Sequence, residues 1–208
     1  MRTLQVYKYF NLIIMPRIVT TKTKVFSFIE LSKEGKEKAI ENYYDISVGY
    51  DWWEIVEEDF KEQMNTKGFM ISRIYFTGFA SQGDGACFEG EMINLKRFLN
   101  SSKRQKEFKP FIELASEQDL TITTKQRGRY CHEQCMDVDV NSCSNFKDLS
   151  CPTITKFSTF MENTLKDNAV NLYKLLNKEY DRLTEDESIK DTLITNEYEF
   201  TVDGKIFN

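Results

Sequence analysis

The sequence is poor in proline, glycine and histidine, and it lacks a long apolar run. Among its 208 residues there are three prolines, nine glycines and one histidine. Few helix- and strand-breaking residues favour long regular elements. The apolar stretch at residues 10–15 is short, and Lys8 and Asn11 interrupt it. We therefore expect neither a membrane span nor the core of a signal sequence.

The sequence also lacks an excess of positive charge. Lysine and arginine number 28 against 33 aspartates and glutamates, so the net charge is −5 and the pI about 5.2. This balance argues against a general duplex-DNA binder, although it leaves room for a local basic pocket. Five cysteines, an odd number at irregular spacing, predict reduced thiols in a cytosol. They are Cys87, Cys131, Cys135, Cys143 and Cys151.

The bulk composition is that of a soluble globular protein. Apolar residues make up 40%, aromatic residues 13% and charged residues 29% of the chain. Met15 is followed by Pro16 and could itself be the natural start. We therefore interpret residues 1–14 as a non-native or disordered extension, and residues 15–208 as a single α+β domain.

Residue periodicity and turn signals predict the order of the elements. The prediction is a strand over 18–29, a helix from the cap Ser32 to Tyr44, a helix after the cap Asp51, a hairpin over 73–90, short helices over 94–99 and 108–114, a second hairpin from 120–124 to 136–140, a long helix over 153–183, a short helix after a capping box of Thr184 and Glu187, and a C-terminal strand that ends in a turn at Asp203 and Gly204. The class is α+β, an antiparallel sheet of two hairpins plus the C-terminal strand, covered by amphipathic helices.

The first hairpin has two possible registers. A tight turn at Asp84 and Gly85 would place Phe88 opposite Ser81. A longer loop over 79–85 places Phe76 opposite Phe88, and we favour it because aromatic pairs stabilise a sheet and set its register.

The tip of this hairpin contains Ser81, Gln82, Gly83, Asp84 and Gly85. Its free backbone N–H groups could bind an anion. The alternative is a structural turn, in which the glycines supply positive φ and Asp84 caps its own backbone. The spacing favours the structural turn. The spacing of a phosphate-binding P-loop is absent.

The second hairpin carries the most concentrated basic patch. Arg127, Arg129 and His132 follow Lys125 and enclose Tyr130. That composition suits a phosphate or a nucleobase, and the alternative is a solvated loop that pairs with Glu133 and Asp137. If the two hairpins are consecutive in one sheet, their tips emerge at the same end. We therefore predict one ligand-binding site, formed by Ser81, Gln82, Gly83, Asp84, Gly85, Arg127, Arg129, Tyr130 and His132.

The cysteines and the histidine are less suggestive of chemistry. Cys131, His132 and Cys135 lie close in sequence, but zinc needs four ligands and the spacing of the other cysteines does not fit. Cys131 and His132 are adjacent and would point to opposite faces of a strand, which suits a nucleophile and its base poorly. We expect no metal, no cofactor and no catalytic residue.

Several segments resemble a family of small uncharacterised bacteriophage proteins, some of which are labelled antitoxins of toxin–antitoxin stability systems. The segments are FIELSKEGKEKA (28–39), DWW (51–53), FTGFASQGDGACFEG (76–90), RGRYCH (127–132) and NEYEFTVDG (196–204). The resemblance supports Met15 as the start and implies a phage accessory protein acting in the host cytoplasm. No DNA-binding antitoxin motif accompanies it.

Three functions follow as hypotheses. The first is a non-enzymatic accessory protein that binds a host protein or a small anionic ligand such as a nucleotide, in counter-defence. The second is an enzyme acting on a nucleotide or phosphate ester, with Asp84, His132 and Arg129 as its acid–base and charge-stabilising groups. The third is a structural or interaction protein without a ligand site. The sequence favours binding over catalysis, and we expect neither a membrane nor duplex nucleic acid as partner.

Overall fold

The computed structural model describes residues 20–207, except 144, 145, 147 and 148. The predicted extension at 1–14 and the start at Met15 lie outside the described residues. The fold is 48% helix and 18% strand, with antiparallel sheets of two and four strands. The predicted α+β class is confirmed.

Helices and strands alternate irregularly along the chain. The described elements are β1 (Phe26–Ser27), α1 (Lys33–Asn42), α2 (Glu54–Lys67), β2 (Phe69–Phe76), β3 (Ala86–Met92), α3 (Leu95–Ser101), α4 (Lys109–Ser116), β4 (Leu120–Gln126), β5 (Met136–Ser142), α5 (Cys151–Thr184), α6 (Asp186–Thr195) and β6 (Glu199–Phe200). Short 3₁₀ turns lie at Phe28–Glu30 and Glu133–Cys135.

The larger sheet is formed by the two hairpins side by side, in the order β2-β3-β4-β5. All neighbouring strands are antiparallel. The hairpins join through the C-terminal part of β3 and the middle of β4, where Gly90 faces Thr124 and Glu91 faces Thr123. Because α3 and α4 carry the chain from the end of β3 to the start of β4, the loops of both hairpins emerge at the opposite end of the sheet.

The main core lies between one face of this sheet and the helices α2 and α5. Helix α5 has a buried apolar stripe that repeats every three or four residues, as a helix packed along one side requires. The stripe is Phe157, Met161, Leu165, Ala169, Leu172 and Leu176. Phe60 and Met64 of α2 and Phe88 of β3 fill the space opposite.

The two ends of the described chain form a second, smaller core. Strand β1 pairs with β6, and α1 and α6 pack beside them. The C-terminal strand therefore lies in its own two-stranded sheet. The fully or nearly buried side chains of this core come from both ends of the chain, and they are Phe28, Leu31, Ala39, Ile189, Leu193 and Phe200.

The predicted strand over 18–29 is wrong for most of its described part. Regular pairing is confined to β1, and a 3₁₀ turn follows at once. The reason is local: the Glu30 carboxylate accepts hydrogen bonds from the backbone N–H and the hydroxyl of Ser27, both at 2.9 Å. This capping box closes a helical turn where the alternating pattern predicts extended chain.

Of the three predicted helix caps, one is confirmed and two are wrong. Ser32 caps α1, because its hydroxyl oxygen accepts from the Gly35 N–H at 3.1 Å. Asp51 does not cap α2, which begins three residues later at Glu54. The capping box at Thr184 is also absent: its hydroxyl donates to the Tyr180 carbonyl at 2.9 Å and so belongs to the last turn of α5.

The long loop of the first hairpin is confirmed, but the predicted pairing of Phe76 with Phe88 is wrong by two residues. Phe76 faces Ala86, and Phe88 faces Ile74. Helix packing decides the register. The ring of Phe88 lies 5.9 Å from that of Phe60 in the core, whereas the ring of Phe76 contacts the Trp52 and Trp53 rings at 6.0 and 5.6 Å.

Candidate functional site

The two hairpin loops lie against each other, as the topology predicts. We name residues 77–85 the first tip loop and residues 127–135 the second tip loop. A Cβ atom placed on Gly85 would lie 2.5 Å from Cα and Cβ of His132. A Cβ atom on Gly83 would lie 3.6 Å from the Tyr130 ring. The backbone of the first tip loop is therefore in contact with the second.

The first tip loop is folded around its own aspartate. One carboxylate oxygen of Asp84, Oδ2, accepts from the backbone N–H groups of Ala80 and Ser81 at 2.9 and 2.6 Å. The Asp84 N–H in turn donates to the Ser81 carbonyl at 3.1 Å. Two amides that could have bound an anion are thus already satisfied. The geometry therefore favours a structural turn over an anion-binding loop.

The glycines of this loop serve a different purpose from the one predicted. Neither Gly83 nor Gly85 adopts a positive φ, so that part of the prediction is wrong. Gly85 is instead required by close approach, because any side chain would enter the backbone of His132. In the second tip loop Gly128 has a φ of +80°, a conformation that L-residues with a Cβ adopt at a cost.

Helix α5 holds the first tip loop from below. The Tyr173 hydroxyl donates to the Gly78 carbonyl at 3.1 Å. The Phe79 ring stacks on that of Tyr173, with centroids 5.4 Å apart, and lies 5.1 Å from that of Tyr180. Burial raises the pKa of Tyr173, and the negative charge of Asp84 raises it further. Tyr173 is therefore a hydrogen-bond donor that fixes the loop at neutral pH.

Backbone contacts shape the second tip loop. The Arg127 N–H donates to the Cys135 carbonyl at 2.7 Å and closes the loop at its base. The side-chain amide of Gln126 donates to the Tyr130 carbonyl at 3.2 Å. These bonds hold the segment between them across the end of the sheet, where it meets the first tip loop.

The charged groups of the second tip loop have different surroundings. Arg127 is paired with Asp137, Nη1 to Oδ1 at 3.4 Å, with both side chains exposed. The Arg129 guanidinium lies over the Tyr130 ring, 5.5 Å from its centroid. Within the described residues Arg129 has no carboxylate partner. The predicted solvated pairing therefore holds for Arg127 with Asp137, and Arg129 remains available to a ligand.

Tyr130 and His132 present an aromatic surface beside this guanidinium. The Tyr130 side chain is 52% exposed. Its ring and the imidazole are inclined by 26°, with centroids 6.3 Å apart. Nδ1 of His132 is buried and has no hydrogen-bond partner among the described residues. Of the predicted site residues, Gly83 and Gly85 of the first tip loop therefore lie against Tyr130 and His132 of the second.

One contact was missed by the sequence reasoning. Sγ of Cys135, not that of Cys131, lies 3.4 Å from Nε2 of His132. The 3₁₀ turn at Glu133–Cys135 brings the two side chains together, because residues three apart overlie each other in such a turn. The three-residue spacing of His132 and Cys135 is the sequence signal for this contact, and it brings side chains together in a 3₁₀ turn but not in a strand.

The remaining thiols differ in burial. All five cysteines are free. Burial raises the pKa of Cys87 to about 12 and also raises that of Cys131. Among the described residues, no group of three or more His, Cys, Asp or Glu side chains is placed to hold a metal ion.

Comparison with known protein families identifies the family to which the chain belongs. A family model described as "Domain of unknown function (DUF8835)" matches residues 52–186. The chain belongs to this family. The DUF8835 match begins at Trp52, just before α2, and ends at Asp186, the first residue of α6. It therefore contains the four-stranded sheet, the main core and both tip loops. The second core is built mostly from residues on either side of it.

No curated protein and no solved structure matches the chain significantly. In the part of the chain that the structure describes, no helix is both long enough and apolar enough to cross a membrane.

Proposed function

We propose that this DUF8835 protein is a non-enzymatic binding protein that takes a small anion with a planar ring, such as a nucleotide, on its joined tip loops. The observation that carries the proposal is the pairing of Arg129 with the exposed ring of Tyr130, 5.5 Å apart. A guanidinium binds phosphate through two parallel hydrogen bonds, and a tyrosine face stacks a base. The two groups supply both halves of a nucleotide site.

The charge of the chain and the contact between the two tip loops both favour this position for an anion-binding site. The chain has a net charge of −5, so an anion needs a local cation that no carboxylate neutralises. Arg129 meets this condition within the described residues. The contacts of Gly83 and Gly85 hold the second tip loop against the first, so the site is supported before a ligand arrives.

The hydrogen bonds of the Asp84 carboxylate favour ligand binding over catalysis on a phosphate ester. In the enzyme hypothesis Asp84, His132 and Arg129 share the catalytic work. Oδ2 of Asp84 accepts from the Ala80 and Ser81 amides, which favours a role in holding the loop over a role as acid or base. A complete acid–base set is then lacking at the tips of the described loops.

The Cys135–His132 contact favours a second candidate, an enzyme with a nucleophilic thiol. A thiol within hydrogen-bond reach of an imidazole is the arrangement that covalent catalysis uses, although no third group among the described residues orients the imidazole through Nδ1. If the pair is functional, His132→Ala should slow alkylation of Cys135 by iodoacetamide at neutral pH. Equal rates in the two proteins would reject this candidate.

The biological setting that we propose rests on the sequence. The resemblance of the motifs at 76–90 and 127–132 to those of small phage proteins supports an accessory protein acting in the host cytoplasm, where it would sequester a ligand or host protein used in defence. Both motifs lie in the tip loops, so the proposed binding surface and the resemblance concern the same residues.

Titration calorimetry with the four ribonucleoside monophosphates tests the proposal, with adenosine and ribose phosphate as probes that carry only one half of a nucleotide. We expect a monophosphate to bind more tightly than either half. Arg129→Ala should weaken binding about tenfold or more, since a charge-assisted hydrogen bond contributes roughly 1.5–3 kcal/mol. Tyr130→Ala should weaken it as well, by the loss of a stacking partner.

Two matched variants serve as controls. Arg97 is exposed and unpaired within the described residues, and lies on α3 at the other end of the sheet. Tyr44 is 56% exposed, close to the exposure of Tyr130. Arg97→Ala and Tyr44→Ala should bind like the unmodified protein. Absence of binding by every monophosphate, or equal losses in the control variants, would contradict the proposed function.

A further inference from the structure

A cavity of about 400 Å³ borders the first tip loop, and its lining includes no residue of the second tip loop. Its walls come from the segment before α2, from the end of β2 with the loop that follows, and from the C-terminal half of α5. The side chains that define its chemistry are Trp52, Phe76, Phe79, Asn177, Tyr180 and Asp181. Its volume falls in the range of small-ligand sites.

Aromatic rings form most of the wall. The Trp52 ring lies within 5.7–6.1 Å of those of Phe76, Phe79 and Tyr180. All but Trp52 are only half-buried, so part of their surface is open to the cavity and solvent. The face of an aromatic ring carries partial negative charge and attracts organic cations, most strongly in tryptophan.

The polar side of the cavity is also negatively charged. Asp181 is exposed, and its Oδ2 accepts from the Asn177 side-chain amide at 3.1 Å. Within the described residues the Asp181 carboxylate has no cationic partner, and neither lysine nor arginine lines the cavity. The carboxylate and the partly exposed aromatic rings therefore both favour a positively charged occupant.

We propose that this cavity binds a quaternary ammonium group of a small molecule. Such a cation is large, weakly hydrated and without N–H donors, so ring faces compensate for its lost water better than hydrogen-bond acceptors would. A carboxylate at the mouth supplies the counter-charge. The cavity and the nucleotide site share the first tip loop through Phe79, but none of the six residues belongs to the Arg129–Tyr130 surface, so the two ligands can be tested separately.

The test uses the full chain, with choline and tetramethylammonium as probes. The neutral control is the carbon isostere of choline, in which a tert-butyl group replaces trimethylammonium. Quenching of tryptophan fluorescence, with calorimetry as a second readout, gives the affinities. We expect both cations to bind and the isostere to bind at least tenfold more weakly.

Variants separate the charge from the rings. Asp181→Asn should weaken choline binding several-fold, whereas Asp167→Asn, an exposed aspartate on the same helix, should not. Tyr180→Leu keeps an apolar side chain and should weaken binding about three- to tenfold. Equal affinity for choline and its isostere would show a merely apolar cavity and overturn the proposal. Failure of both cations to bind would also overturn it.

Discussion

Replacing Gly85 by alanine should separate the two tip loops. The new Cβ would lie 2.5 Å from Cα and Cβ of His132 and 3.2 Å from its nitrogen. Carbon atoms in contact prefer about 3.5 Å or more, so the loops would have to move apart by roughly 1 Å. Gly85 cannot retreat freely, because its carbonyl accepts from the Thr77 N–H at 3.0 Å and its N–H donates to the Thr77 hydroxyl at 3.2 Å.

The expected cost is that of overpacking, about 1–3 kcal/mol. In a chain of this length each kcal/mol lowers Tm by roughly 2–4 °C. Gly83→Ala is the matched control, because its Cβ would meet the Tyr130 ring at an ordinary 3.6 Å and its φ is not positive. It should be neutral or stabilising by up to about 1 kcal/mol, through reduced freedom of the unfolded chain.

Urea unfolding and thermal scans of the two variants measure the difference. We expect Gly85→Ala to be clearly less stable than Gly83→Ala, and the amide signals of the second tip loop to shift in its NMR spectrum. Equal stability of the two variants, with an unchanged signal for His132, would refute the close contact of the loops.

Four further predictions concern single residues. Asp84→Ala should cost about 1–3 kcal/mol in urea unfolding, because two backbone amides lose their acceptor, and Asp84→Asn should cost less since it keeps an oxygen there; equal losses would contradict the turn. Cys87 should resist iodoacetamide at pH 8 in the folded protein while the exposed Cys143 is labelled, as peptide mass spectrometry would show, because the thiolate is the reactive form. Since the pKa of Cys87 is raised to about 12 by folding, its contribution to stability is complete below about pH 9 and is lost as the pH rises toward 12; Cys87→Ala should lack this loss in alkaline unfolding curves. Gly128→Ala should lower stability by about 1 kcal/mol through its positive φ, whereas the exposed Gly49→Ala should not; a null result in thermal scans would exclude strain.

The helices and hairpins of the main core could be predicted from the sequence, because their signals are local. The apolar stripe of α5 repeats at helical spacing, and Gly68 ends α2 in a left-handed conformation. The predicted elements are wrong where side chains form hydrogen bonds with nearby backbone groups. Ser27 and Glu30 close a turn inside an alternating pattern, and Thr184 bonds backward into α5.

The candidate site was predictable in outline only. Consecutive hairpins in one sheet place both tips at one end, and this brings Gly85 against His132. The detailed contacts depend on tertiary packing. Phe88 takes its register from rings on neighbouring elements, and Trp52 meets Tyr180 across most of the chain to form the aromatic cavity. No local pattern reports such contacts.

The most direct test of the joined site is an NMR titration of the isotope-labelled protein with the tightest-binding ribonucleoside monophosphate. If the loops form one site, amide signals of residues 81–85 and of residues 127–132 should shift together and saturate with the same dissociation constant. Signals of α3 around Arg97 should stay in place. Shifts confined to one loop, or saturation of the two loops at different concentrations, would contradict the account.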